Sequence, residues 1–245
     1  MAVATYLHSV LEDLRGKGLA VPLAFPEEVA NLDTVSLQSL LKGNVLKTII
    51  SDVADHMHTS NQMAAASLFQ KRYAYVLLTS VIHPLLYAGI GILADPEQTD
   101  VMLDDGLPVG IKLRNPSQWM PIDVADGFFP SIIHTALDRN LKELIDRISS
   151  EIGVSPLILW ENAGSYVRFL HQKIGNDREL RFPSQRVFCV LFDRIGMYAP
   201  ALASVYRGCL TEEPDAAECV RTTCCLWYQF PGNSPCPTCP RLKRN

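Results

Sequence analysis

Four cysteines lie close together near the end of the chain, in the stretch CCLWYQFPGNSPCPTCP. Cys224 and Cys225 are adjacent, and Cys236 and Cys239 follow in a C-x2-C spacing. Four kinds of chemistry use thiols at this density: a disulfide staple, a zinc site, an iron–sulfur cluster, or independent thiols with no joint role. Each requires a different geometry and a different cell compartment.

The composition and the first residues of the chain indicate the cell compartment in which the cysteines act. The chain has 245 residues, of which 48% are hydrophobic and 20% charged, which is typical of a globular protein and not of a disordered one. Its first residues, MAVATYLHSVLEDLRGKG, carry acids early and do not resemble a secretory signal, so a cytoplasmic location is predicted. In a reducing compartment, clustered cysteines more often bind metal or do redox chemistry than form disulfides.

The spacing of the thiols separates the remaining alternatives. Adjacent α-carbons lie about 3.8 Å apart, short of the roughly 4.4–6.8 Å that a normal disulfide spans. A zinc ribbon needs a second C-x2-C knuckle, whereas here the partner is a bare pair whose side chains point to opposite faces of an extended backbone. A two-iron cluster shares its ligands between two metals and accepts such a pair, so the pattern favours it while zinc and free thiols stay open.

The same segment is basic. From residue 221 onward it contains Arg221, Arg241, Lys243 and Arg244 and no acid, although the whole chain has a formal charge of −4. This charge predicts an anionic ligand and favours a reduced, more negative cluster, with a solvated basic tail as the alternative. Aromatic side chains that can limit solvent access lie between the cysteines: Trp227, Tyr228 and Phe230.

The stretch RTTCCLWYQFPGNSPCPTCPR resembles the C-terminal signature of the FhuF-like ferric iron reductases, and LWENA at 159–163 is similar to an LW.N element of that family. The resemblance implies a [2Fe-2S] cluster held by Cys224, Cys225, Cys236 and Cys239. It also implies one-electron reduction of ferric iron in a siderophore, typically of the hydroxamate type, with release of Fe(II) in the cytoplasm.

The motifs that the sequence lacks indicate how electrons reach the chain. It has no Gly-rich phosphate loop or nucleotide fingerprint, so electrons are expected from a separate donor protein of the ferredoxin, flavodoxin or flavin reductase type. No nucleic-acid partner and no catalytic residue beyond the cluster are predicted. The alternatives are a zinc-stabilised binding module and a siderophore-binding protein without redox activity. Side chains predicted to contact the substrate are Arg72, Arg168, Arg207, Arg221, Trp227 and Arg241.

The rest of the chain is predicted to be a mostly helical body, residues 1–220, followed by a cluster-binding segment, residues 221–245. Alternating apolar residues around Asp105–Gly106 predict a β-hairpin near 100–113. The fold class is therefore α+β, predominantly helical, with a small antiparallel sheet and a cysteine-rich tail. Helices are predicted over 34–55 with Asp33 or Thr34 as cap, from about Gln62, over 131–152, from Pro156 with Ser155 as N-cap, and from about Ser184 to Gly196.

The segment 73–94 is long and apolar enough to raise the question of a membrane span. His83–Pro84 places an ionisable group and a helix breaker at its middle, which favours a kinked core helix. Peripheral contact with a membrane surface remains open for this segment.

Overall fold

The computed structural model describes residues 2–24, 32–115, 118–122, 129–174, 177–180, 183–202, 221–236 and 238–242. The helices in these ranges are α1 (Ala2–Gly16), α2 (Leu37–Lys42), α3 (Val45–His56), α4 (Gln62–His83), α5 (Phe129–His134), α6 (Lys142–Ile152), α7 (Pro156–Ile174) and α8 (Ser184–Tyr198). The strands are β1 (Leu23–Ala24), β2 (Asp33–Ser36), β3 (Ile90–Ile92), β4 (Thr99–Asp104), β5 (Leu107–Leu113) and β6 (Trp119–Pro121). The predicted class, mainly helical α+β, is confirmed.

Helix α4 lies at the centre of the fold and is buried over most of its circumference. Asn61 caps its start, because its side-chain oxygen accepts a hydrogen bond from the Ala64 N–H at 3.0 Å. The helix ends at His83, and Pro84 opens a π-helical turn that Gly89 closes at a φ of 65°. The predicted start at Gln62 and the irregularity at His83–Pro84 are therefore confirmed, but the kinked helix predicted to run to residue 94 is wrong beyond Gly89, where Ile90–Ile92 form β3. No helix in the described ranges is long and apolar enough to cross a membrane.

The predicted hairpin is also confirmed. Strands β4 and β5 pair antiparallel, and the turn between them has φ of 49° at Asp105 and 77° at Gly106, as a tight two-residue hairpin requires. Strand β5 also pairs in parallel with β1, and β4 pairs antiparallel with β2, which completes a sheet of order β1-β5-β4-β2. Strands β3 and β6 form a separate two-stranded ladder.

The single helix predicted over 34–55 is wrong. Residues 33–36 form strand β2, because their backbone pairs with β4, a contact that helical periodicity cannot reveal. Ser36 then caps α2, accepting from the Ser39 N–H at 3.0 Å, and Gly43 ends that helix before α3 begins. Neither Asp33 nor Thr34 is the cap.

The helix predicted over 131–152 exists with an internal irregularity. It runs through α5 and α6 with a π-helical segment at Thr135–Leu141 between them, and it stops at Gly153, whose φ is 84°. Asn140 lies in the π-helical segment, where its side chain is buried and donates to the Ala94 carbonyl at 3.0 Å. The apolar residues of this helix pack into the core from Ile133 to Ile148, and Ile152 is half-buried.

Helix α7 packs along α4 and against α8, and it buries Trp160, Ala163, Val167, Leu170 and Ile174. One large apolar cluster joins these helices to the sheet. A second, small cluster consists of Ala64, Leu68 and Phe230, and it attaches the C-terminal segment to α4. Hereafter "the tail" means residues 221–242, of which 237 lies outside the described residues.

Candidate metal centre

The tail contacts helices α4 and α7. A short 3-10 turn at Trp227–Gln229 follows Leu226, whose φ is 66°, and brings Phe230 back onto α4. The two ends of the tail meet, because the Arg221 N–H donates to the Thr238 carbonyl at 3.0 Å. A tight turn from Cys236 to Cys239 follows, with the Cys239 N–H donating to the Cys236 carbonyl at 2.9 Å.

This path brings cysteines from the two ends of the tail into contact. The sulfurs of Cys224 and Cys239 lie 3.8 Å apart, and the Cys236 thiol interacts with the Cys225 thiol. Two sulfurs bound at about 2.3 Å to one tetrahedral metal lie about 3.8 Å apart, so the first pair has the spacing of ligands to a common metal. Cys225 and Cys239 are buried, whereas Cys224 and Cys236 are partly exposed. Within the described ranges, no group of three or more His, Cys, Asp or Glu side chains is arranged to hold a metal ion.

Burial is the main influence on the half-exposed thiols. It raises the pKa of Cys224, with Cys239 and Cys225 adding to the effect and the Leu226 backbone N–H opposing it. Burial likewise raises the pKa of Cys236, together with the neighbouring Cys225 and Cys239. These thiols therefore favour the protonated form in the metal-free chain, and binding a metal releases their protons.

Buried polar groups of α7 hold the start of the tail. The Glu161 carboxylate accepts the Thr222 N–H at 2.6 Å on one oxygen and the Thr223 N–H at 2.7 Å on the other. The hydroxyls of the same two threonines also bond to it. Arg221 is 4% exposed, donates to Asn162 Oδ1 at 2.7 Å and lies with Nε 3.7 Å from Glu161 Oε2.

Helix α4 supplies a second anchor. Ser67 Oγ donates to the Cys225 carbonyl at 3.0 Å, and Asn162 Nδ2 donates to Ser67 Oγ at 3.1 Å and to Gln70 Oε1 at 3.2 Å. All three side chains are fully buried. The backbone on both sides of Cys224 is thus tied to the helical body.

Aromatic side chains of the tail contact one another and Arg241. Trp227 lies next to Phe230 with ring centroids 5.6 Å apart, and the Arg241 guanidinium lies 4.4 Å above the ring of Tyr228. Tyr166 of α7 was not among the predicted residues, yet it lies within electrostatic reach of both Cys225 and Arg72. Burial raises the pKa of Tyr166, so its hydroxyl stays neutral at physiological pH.

The predicted substrate residues occupy different environments. Arg72 on α4 and Arg241 in the tail are exposed, whereas Arg168 and Trp227 are half-buried. Arg221 is turned inward onto Glu161 and Asn162, which favours a supporting role over direct contact with a ligand. Arg207 lies outside the described residues, as do Lys243 and Arg244 of the predicted basic end.

Glu161 is a functional candidate that sequence reasoning missed. It lies inside the LWENA stretch, but a carboxylate within an apolar helix gives no sign of which backbone it will accept from. A buried charge on an otherwise apolar helical face was the available signal, since such a group requires a partner.

A family model described as "Ferric iron reductase FhuF-like transporter" matches residues 67–223, well over half of the chain. The chain belongs to this family. The FhuF-like match includes Ser67, Glu161 and Asn162 and ends at Thr223, immediately before the four cysteines. Membership in the FhuF-like family supports a redox role that involves iron. No curated protein matches the chain in sequence.

Two solved proteins from a hypervirulent pathotype of Klebsiella pneumoniae are similar in fold. The aerobactin synthetase IucA, with or without ATP, aligns at a TM-score of 0.50 and 14% identity over 65% of this chain and 31% of that one. The aerobactin synthetase IucC aligns at a TM-score of 0.50 and 11% identity over 67% of this chain and 32% of that one. The chain spans about a third of the length of these proteins. At this identity the likeness concerns the fold alone.

Proposed function

We propose that this chain is a cytoplasmic ferric-siderophore reductase in which Cys224, Cys225, Cys236 and Cys239 hold a [2Fe-2S] cluster. The observation that carries the proposal is the 3.8 Å separation of the Cys224 and Cys239 sulfurs, with Cys225 and Cys236 within electrostatic reach of each other. Two pairs of thiolates are the donor set that a two-iron cluster takes. When bound, such a cluster supplies one electron at a time to ferric iron.

The chain's own residues supply a binding environment for the ferric chelate. Arg241, stacked on Tyr228, follows Cys239 closely in the chain, and exposed Arg72 lies within electrostatic reach of Tyr166, as Cys225 does. These positive charges suit an anionic chelate. Trp227 and Phe230 pack against each other in the part of the chain between the cysteines, and we expect them to limit the access of water. Hard oxygen donors bind Fe(II) less tightly than Fe(III), so reduction is itself the release step and no general base is required.

The class of ligand has a second line of support. Solved proteins named as aerobactin synthetases share the fold over about two thirds of this chain. We infer that the helical body binds a siderophore, of the hydroxamate type by resemblance, and that electrons come from a separate ferredoxin, flavodoxin or flavin reductase.

The first experiment is anaerobic purification followed by visible spectroscopy and assays of iron and acid-labile sulfide. We expect a red-brown protein with about two irons and two sulfides per chain, whose absorption bleaches with dithionite. A colourless protein with one zinc per chain supports the zinc-stabilised binding module instead. Tight binding of a ferric chelate without a change in iron oxidation state supports a siderophore-binding role without redox activity.

Cysteine variants link the colour to the activity. Cys236→Ser and Cys239→Ser should each abolish the cluster and the reduction of a ferric hydroxamate. Cys189→Ser is the matched control, because Cys189 lies half-buried on α8, outside the thiol quartet. Full activity in either tail variant contradicts the proposal.

A further inference from the structure

The buried carboxylate of Glu161 is placed as a clamp on the backbone immediately before the adjacent cysteines. We propose that Glu161 is the positioning residue for Cys224 and Cys225, and that Glu161 and Arg221 form a neutral buried pair which sets the potential of the metal centre. The second half rests on the proposed function. The first half does not, because every contact that carries it lies within the chain.

The clamp consists of hydrogen bonds from Thr222 and Thr223 to the Glu161 carboxylate. Both oxygens of Glu161 are used, each by one backbone N–H and one hydroxyl of the consecutive threonines Thr222 and Thr223. Hydrogen bonds to an ionised acceptor are about twice as strong as neutral ones. Two successive peptide units are thereby fixed directly ahead of Cys224.

The clamp extends past the cysteines in both directions. Beyond them, Ser67 Oγ holds the Cys225 carbonyl, so both thiol-bearing residues lie between anchored peptide units. Ahead of them, the Arg221 N–H donates to the Thr238 carbonyl, next to Cys239. The arrangement of all four thiols therefore depends on one segment that Glu161 holds.

Charge balance gives the clamp its second role. Glu161 is 2% exposed and Arg221 is 4% exposed, so each needs the other as a counter-charge in the interior. Together they present no net charge to the thiols. Removing one partner leaves the opposite charge uncompensated a few residues from the metal centre.

Hydrogen exchange on the full chain, prepared without metal, tests the positioning role. In Glu161→Ala, the amides of Thr222 and Thr223 should exchange about tenfold faster or more, because each loses a charge-assisted hydrogen bond. Glu151→Gln is the matched control, since it breaks a Glu–Arg pair within α6 that does not involve the tail. Unchanged protection in Glu161→Ala, with the helical fold retained, overturns the proposal.

A milder variant covers the case in which Glu161→Ala does not fold. Thr223→Val removes one hydroxyl from the tail side of the clamp and leaves α7 untouched. A smaller increase in exchange, confined to the start of the tail, is expected. Protection equal to that of the unchanged chain contradicts the clamp in this variant as well.

The reduction potential of the loaded protein tests the charge pair. Glu161→Gln leaves the Arg221 cation uncompensated and should raise the potential, whereas Arg221→Gln leaves the carboxylate and should lower it. The double variant should return close to the starting value. Shifts of the same sign in both single variants overturn the charge-balance role. If the protein holds zinc, the proposed function fails, yet the exchange result still decides the clamp.

Discussion

The helical body and the tail are held by different forces. The body rests on one large apolar cluster that joins helices and sheet, with Phe69 and Tyr73 of α4 fully buried in it. The tail attaches through a small cluster at Phe230 and through buried polar contacts from Glu161, Asn162 and Ser67. Apolar packing tolerates exchange of similar shapes, whereas a polar clamp requires particular atoms at particular places. The body should therefore determine stability, and the tail the geometry of the thiols.

The largest expected effect comes from the body. Phe69→Ala should lower the free energy of unfolding by about 3–5 kcal/mol, because it leaves a cavity at a fully buried position of α4. Chemical denaturation followed by circular dichroism measures it. Phe169→Ala on α7 is the control, since that ring is 48% exposed and its loss should cost about 0.5 kcal/mol or less. Similar costs in both variants contradict the assignment of the core.

Truncation of Phe230, the apolar anchor of the tail, should lower the free energy of global unfolding less than Phe69→Ala does. Phe230→Ala removes the ring that packs on Ala64 and Leu68, a local loss of up to about 3 kcal/mol. The cost to global unfolding is limited to the docking energy of the tail, because the body can remain folded while the tail detaches. Reactivity of Cys225 and Cys239 with a thiol reagent should rise while the unfolding midpoint moves little. A midpoint shift as large as that of Phe69→Ala shows that the two regions unfold as one.

One hydrogen bond between the regions gives a finer measurement. Ser67→Ala removes the donor to the Cys225 carbonyl and should cost about 1 kcal/mol of tail docking. Faster exchange of tail amides, with no change in exchange of the α4 core, is the expected pattern. Ser150→Ala serves as the control, because the Ser150 hydroxyl bonds only within α6 at an exposed position. Equal effects of both substitutions on the tail contradict a direct anchor.

The smallest effect concerns pH and the body alone. Burial lowers the pKa of His83, whose Nδ1 lies 2.6 Å from the Ala20 carbonyl, so the neutral ring is the form that the fold accommodates. Since the unfolded chain binds this proton near pH 6.5, the contribution of His83 is complete above about pH 6.5 and is lost as the pH falls below it. Chemical denaturation at several values between about pH 5 and 7 measures this effect. The free energy of unfolding of His83→Gln should depend less on pH than that of the unchanged chain. The control is His56→Gln, whose side chain is 45% exposed. An unchanged slope in His83→Gln contradicts the linkage.

Local signals in the sequence were read correctly where short-range physics decides the structure. The start of α4 at Gln62, the irregularity at His83–Pro84, the turn at Asp105–Gly106 and the end of α6 at Ile152 were all predicted at or within one residue of their positions. The prediction failed at β2 and at β3, where strands replaced the start of one predicted helix and the end of another. Pairing with β4, more than sixty residues away in the chain, overrides the helical spacing of the leucines that follow.

The sequence by itself determined the chemistry that the tail can offer. Four cysteines in an unusual spacing, inside a segment without acids, offer thiolates as donors, because residue type alone sets what a side chain can bind. Neither the tail's partners nor the pairs in which its thiols meet can be read from that spacing.

Only the tertiary structure decided how those thiols are held. Ser67 and Cys225 are 158 positions apart, and Glu161 reaches Thr222 across 61, so no local pattern links them. Folding brings them together because α4 and α7 bury their apolar faces against each other. The polar side chains that are buried with these faces need hydrogen-bond partners, and the backbone that packs over them supplies those partners. The tail is that backbone.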